Sequence, residues 1–117
     1  TLKVLEFNCR MGDPETQPIM MRLKSDPVGL LDAAIDGRLD AAEAEWDPRV
    51  ALGVVLAAAN YPEDPRKGDI IRGLPPAGDD YHVFHAGTAL SGRDVVTSGG
   101  RVLCVTVLGH NTRTAQK

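Results

Sequence analysis

The residues best equipped for chemistry lie in one stretch near the start of the chain, Leu5-Glu6-Phe7-Asn8-Cys9-Arg10-Met11-Gly12-Asp13-Pro14-Glu15-Thr16-Gln17. Along an extended segment alternate side chains share a face, so Glu6, Asn8 and Arg10 are expected to project side by side. Glu6 offers a carboxylate and Asn8 an amide carbonyl. These are the hard oxygen donors that Mg²⁺ takes when it bridges nucleotide phosphates and keeps several waters. The planar fork of Arg10 suits a carboxylate or phosphoryl oxygen. Asp13 and Glu15, on the loop just beyond, could position an amine or accept its proton. Alternating polar residues also mark nothing more than the solvated face of a strand, so the pattern alone leaves both readings open.

To present these groups the chain needs a strand followed by a loop. Residues 3–8 contain the branched and aromatic types of a half-buried strand, and Gly12, Asp13 and Pro14 then break it. A short helix is predicted over 18–24. A clearer one follows, with Ser25 or Asp26 as cap, Pro27 in the first turn and Gly37 closing it. Val28, Leu31 and Ile35 fall on one face of that helix and are expected to bury a stripe. The aliphatic run at 49–59 predicts a buried strand. Further strands are predicted over 81–86, 94–97 and 101–108, the last two joined as a hairpin through Ser98-Gly99-Gly100. The fold class is therefore α+β. Its boundary is placed between Arg38 and Asp47, where a helix-rich third gives way to a strand-rich remainder.

Composition narrows the partners. With 43% hydrophobic residues and 25% charged ones, the chain has the make-up of a folded domain rather than a disordered tail. The net charge of -3, with scattered basic residues, gives no footprint for nucleic acid or an anionic membrane. No apolar run is long enough to span a bilayer, and no signal-peptide pattern opens the chain. Two cysteines without metal-type spacing suit a reducing, cytoplasmic setting. Other tempting groups take plainer expectations. His82 and His85 are too poorly spaced on a strand to share a metal. Cys9, Trp46, Met20 and Met21 are read as packing residues, and Tyr61, Arg66 and Lys67 as solvated loop positions.

Glu-x-Asn-x-Arg followed by Gly-Asp-Pro-Glu-Thr-Gln resembles the terminal catalytic strand and loop of phosphoribosylamine–glycine ligases, members of the ATP-grasp superfamily. Biotin carboxylases are similar in Glu-x-Asn-x-Arg but lack the Gly-Asp-Pro-Glu continuation. The likeness extends in order through Leu52-Gly53-Val54-Val55-Leu56-Ala57-Ala58, Tyr61-Pro62, Arg66-Lys67-Gly68-Asp69, Phe84-His85-Ala86-Gly87-Thr88 and Gly99-Gly100-Arg101-Val102-Leu103. Departures occur at Met11, Asn60, Pro65 and 110–114, where the helix expected in the family is absent or truncated.

The resemblance implies that Glu6 and Asn8 bind Mg²⁺ or Mn²⁺, that Arg10 lies beside the reacting carboxyl group, and that Asp13 and Glu15 serve the substrates. It further implies a reaction that joins glycine to 5-phosphoribosylamine at the expense of ATP, by way of glycyl phosphate. Residues 1–40 would be the end of an ATP-grasp domain and residues 41–117 a β-rich C-terminal domain. Both ends look cut, so the chain is expected to be inactive without the N-terminal and ATP-grasp parts of the same protein. A non-enzymatic β-rich interaction module, or a different ATP-grasp carboxylate–amine ligase, is the alternative.

Overall fold

The computed structural model describes residues 2–117. In chain order its elements are α1 (Thr16–Arg22), α2 (Pro27–Ile35), a 3-10 turn (Leu39–Ala41), β1 (Val50–Ala57), β2 (Ile70–Ile71), β3 (Tyr81–His85), β4 (Thr88–Ser91), β5 (Asp94–Thr97), β6 (Arg101–Gly109) and α3 (Thr112–Ala115). The strands form two antiparallel sheets, ordered β1-β6-β3 and β2-β5-β4. Helices and antiparallel sheets together make the α+β architecture that the pattern predicts. The radius of gyration is 17.4 Å, against about 13–14 Å for a compact domain of this length. Part of the chain therefore stands away from the core.

The core is built on β6 because both of its edges are paired and both of its faces are covered. Val102, Leu103, Cys104, Leu108 and Thr106 are buried, and Ala58, Val102 and Leu103 pack with Ile71 and Val83. Thr106 is fully enclosed, with its Oγ1 3.5 Å from Cys104 Sγ. β1 runs along one side of β6 as an edge strand. It is half-buried, with Val54 and Leu56 exposed, which corrects the expectation of a buried strand. Continuous hydrophobicity indicates burial on two faces only where something covers the second face, and here α1 and α3 cover β1 in part.

α1 lies two residues earlier than the predicted 18–24 and has no side-chain cap, whereas α2 starts and stops where the sequence signals it. Asp26 accepts a hydrogen bond from Val28 N–H at 2.9 Å, Pro27 occupies the first helical position, and Gly37 follows α2 at φ 66°. The apolar stripe of α2 is nevertheless uncovered: Val28, Leu31 and Ile35 are exposed, and Ala33 is its buried residue. Amphipathic spacing predicts a face to be covered but not the element that covers it. α3 begins at Thr112 with a reciprocal capping box between Asn111 and Thr114 and runs for four residues, a short helix where an absent or truncated one is expected.

The glycine pair at 99–100 also differs from expectation. β5 and β6 belong to different sheets, so no hairpin joins them. The tight hairpin is β4–β5, where Ser91 pairs with Asp94 and Gly92, at φ 62°, occupies the first central position of a two-residue loop. Gly99 and Gly100 separate strands instead of reversing one, and close packing explains their size: a Cβ on Gly100 would lie 2.4 Å from the Tyr61 ring.

Candidate functional site

The segment 2–9 has no ladder partner among the described residues, so the strand predicted over 3–8 is not formed. A strand exists only when its N–H and C=O groups meet a neighbour, and the chain offers this segment none. Glu6, Asn8 and Arg10 are exposed on it, together with Leu2, Val4, Leu5 and Phe7. Arg10 donates from Nη1 to Met11 O at 3.0 Å. Cys9 is a free, exposed thiol and not a packing residue.

Asp13 and Glu15 sit in the turn that leads into α1. Glu15 is the residue before the first helical position, and Thr16 N–H donates to Gly12 O at 2.9 Å, reinforced by the Thr16 hydroxyl donating to the same oxygen. The carboxylate of Glu15 folds back over Gly12, where a Cβ would lie 2.5 Å from Glu15 Oε2. At the end of the turn the side-chain oxygen of Gln17 is buried without a hydrogen-bond partner among the described residues. An acceptor left in that state costs about 1–3 kcal/mol, and a donor from outside the chain would relieve it.

α1 carries this turn onto the sheet. Pro18 rests against Gly53 of β1, where a Cβ would meet Pro18 Cγ at 2.9 Å, so a glycine in the strand admits the helix. The far end of α1 is clasped by residues 45–47. Asp47 N–H donates to Arg22 O at 2.7 Å, Lys24 N–H to Glu45 O at 2.9 Å, and the Arg22 guanidinium to Asp47 O at 3.1 and 3.2 Å. A cleft of about 620 Å³, lined by Pro18, Ile19, Arg22, Trp46, Val50 and Ala51, lies beside this clasp. Trp46 is exposed at its edge, pairing with Leu23 through a single bridge, and is not a core residue.

A charge network backs the clasp. Arg49 donates to both carboxylate oxygens of buried Asp47, at 3.0 and 2.9 Å, and to Asp80 Oδ1 at 2.6 Å. The side-chain hydrogen bonds from Arg49, then its backbone N–H, hold the Asp47 carboxyl well below the usual carboxylate range. The same bonds, from Asp47 first and Asp80 second, raise Arg49 further. The network ties the start of β1 to the start of β3 and the end of α1, which is a structural task.

The structure thus brings Asp13 and Glu15 into one turn and leaves Glu6 and Asn8 on an uncovered segment. It adds a residue that motif reasoning did not select: Arg101 donates from Nη1 to Asp13 O at 2.9 Å, and its Nη2 lies 3.3 Å from Asp13 Oδ2. From sequence Arg101 reads only as the first residue of the strand 101–108 and as part of the Gly-Gly-Arg resemblance, with no partner indicated. His82 stacks at 4.5 Å on Phe84, and His85 Nδ1 lies 3.0 Å from Thr88 Oγ1. No group of three or more His, Cys, Asp or Glu suited to a metal ion occurs among the described residues. Glu6 and Asn8 are the right donors for a hard cation, yet two oxygens make a partial set. Any such ion would complete its shell with nucleotide oxygens, water and groups from outside this chain. Among the described residues no helix is long and apolar enough to cross a membrane.

Comparison with known proteins places this geometry. Residues 51–117 match the family described as Phosphoribosylglycinamide synthetase, C domain. The whole chain is 60% identical over 117 residues to the phosphoribosylamine–glycine ligase of Ralstonia nicotianae, covering 28% of that protein. To the ligase of Escherichia coli O157:H7 it is 62% identical over 98% of its length, covering 27% of the relative. The crystal structure of phosphoribosylamine–glycine ligase from Thermotoga maritima superposes with a TM-score of 0.71 and 37% identity, over 97% of this chain and 27% of that one. The chain therefore spans a little over a quarter of the length of the curated relatives it matches.

Proposed function

This chain belongs to the phosphoribosylglycinamide synthetase C-domain family, and from that premise we propose that it works as the C-terminal part of an ATP-dependent ligase joining glycine to 5-phosphoribosylamine. The observation that carries the reading is the disposition of Glu6-x-Asn8-x-Arg10 and the turn beyond it. The chemically competent groups lie exposed on a segment that the chain itself does not cover, directly before a turn that is anchored to the sheet. Such a segment is half of a site, and the remainder of the same polypeptide supplies the other half. Residues 1–40 then belong to the ATP-grasp region and residues 41–117 to the C-terminal domain.

In this reading the glycine carboxylate takes the terminal phosphoryl group of ATP, giving glycyl phosphate and ADP. The amine of 5-phosphoribosylamine then attacks the acyl carbon, phosphate leaves, and an amide bond remains. A free carboxylate is a poor acyl donor, so the phosphoryl transfer must come first. Glu6 and Asn8 are the residues that would hold Mg²⁺ or Mn²⁺ alongside the nucleotide, and the chemistry such a cation would supply is neutralisation of the crowded phosphoryl oxygens. Arg10 holds the reacting carboxyl through its planar fork. Asp13 and Glu15, fixed in the turn, orient the incoming amine and take up its proton. The pathway served is purine biosynthesis, in the cytoplasm.

The test is a steady-state assay with ATP, glycine and 5-phosphoribosylamine. The full-length polypeptide is expected to release ADP in step with amide formation, and the isolated chain is expected to release none. Turnover by the isolated chain at an ordinary enzymatic rate, or a full-length protein that leaves these substrates untouched, contradicts the reading.

A further inference from the structure

Two glycines and a strand irregularity converge on one arginine. β1 and β6 run in register from Val50↔Gly109 to Leu56↔Leu103, and then slip so that Ala57 pairs with Arg101. Irregularities of this kind re-aim a side chain and recur next to active sites. The backbone on either side of Arg101 is held at short range. Gly87 N–H donates to Arg101 O at 2.8 Å, and Ala58 N–H donates to Gly100 O at 2.8 Å. A Cβ on Gly87 would sit 2.7 Å from Arg101 O, and Gly100 is pressed against Tyr61. The glycines make room for a rigid seat under the arginine.

From that seat the guanidinium crosses 88 positions of sequence to the turn before α1. It grips the carbonyl oxygen and the carboxylate of the same residue, Asp13, from two nitrogens. A two-point grip fixes orientation as well as position. The bonds within the turn, from Thr16 to Gly12, maintain its curl but do not relate it to the sheet. With Arg101 and Asp13 side chains 43% and 52% exposed, the pair adds little to stability, so its effect lies in geometry.

We infer that Arg101 is a positioning residue of the ligase reaction, setting the turn through Asp13 and with it the Asp13 and Glu15 carboxylates. The inference rests on the function proposed above. Its test uses the full-length ligase. R101M keeps the aliphatic stem and removes both donors, whereas R101K keeps the charge and loses the fork. R101M is expected to lower kcat on the order of 10²-fold, the scale of a small misplacement at the reacting atoms. The KM for ATP should stay within about twofold, and the melting temperature within about 2 °C. R101K should fall between R101M and the wild type. In a D13A background R101M should lower kcat by less than it does in the wild type, because the carboxylate half of the grip is already gone and only the bond to the main-chain carbonyl remains to be lost. R101K carries the same cycle should R101M prove poorly folded. Wild-type kcat in R101M, or losses from R101M and D13A that multiply in the double variant, overturn the positioning role while leaving the ligase reading intact. A wild-type enzyme without turnover overturns the ligase reading, and the positioning role with it.

Discussion

Leu31 and Leu103 are the same residue type in two regions with different fates: Leu31, on α2, is 63% exposed, and Leu103, on β6, is 4% exposed. The region from β1 to α3 closes on itself. Its central strand has partners on both sides, and its buried residues touch one another. The region from residue 2 to the clasp at 45–47 does not close. It has one well-capped helix, α2, and an unpaired segment rich in apolar residues, but the apolar stripe of α2 and the apolar residues of that segment are bare. Local signals are equally good in both regions. What separates them is whether the covering element lies within this chain.

The sharpest way to break this comparison is to truncate both leucines. L103A is expected to destabilise the chain by about 2–5 kcal/mol, whereas L31A should change it by less than about 0.5 kcal/mol in chemical denaturation. A comparable loss from L31A in the isolated chain would show that α2 is packed after all. A cost of L31A in the full-length polypeptide that approaches that of L103A is the outcome expected where the rest of the protein covers the α2 stripe.

Next in size is the separation of chemistry from folding. E6Q in the full-length protein is expected to lower kcat about 10²-fold while leaving its melting temperature unchanged. Activity that survives E6Q removes the basis for the metal assignment.

Two glycines sharpen the account of the closed region. G87A should cost about 1–3 kcal/mol, since its methyl group would press on the backbone at Arg101 O. G92A meets open space, and the strain of its positive φ should cost about 1 kcal/mol. Reversal of that order in denaturant midpoints would refute the close-packing explanation for Gly87.

The smallest expected effect concerns acid. The Asp47 carboxyl is depressed below its ordinary value of 3.8, so folding holds the extra stability above that value and loses it as pH falls towards the folded pKa. D47N should therefore flatten the acid limb of the stability curve below about pH 4 without altering the neutral limb's slope. An unchanged acid limb would show that the Arg49 hydrogen bonds do not govern it.

Several features were legible without coordinates. Asp26, Pro27 and Gly37 bracket α2 because capping depends on neighbours within a few positions. β5 occupies the predicted 94–97, and β1, β3 and β6 begin or end within a residue or two of expectation. The misreadings share one cause. Ser98-Gly99-Gly100 has the residues of a hairpin, but whether consecutive strands pair depends on the sheets they join. Residues 3–8 have the composition of a strand, but pairing needs a partner elsewhere.

Residue chemistry and spacing along the chain were enough for the caps of α2, the spans of β1, β3, β5 and β6, and the motif from Glu6 to Glu15. Only the tertiary structure decided that β6 sits between β1 and β3, that α2 is left bare, and that Arg101 holds Asp13. Those facts join residues tens of positions apart, and a contact across such a distance is set by the packing of whole elements, which local pattern does not encode.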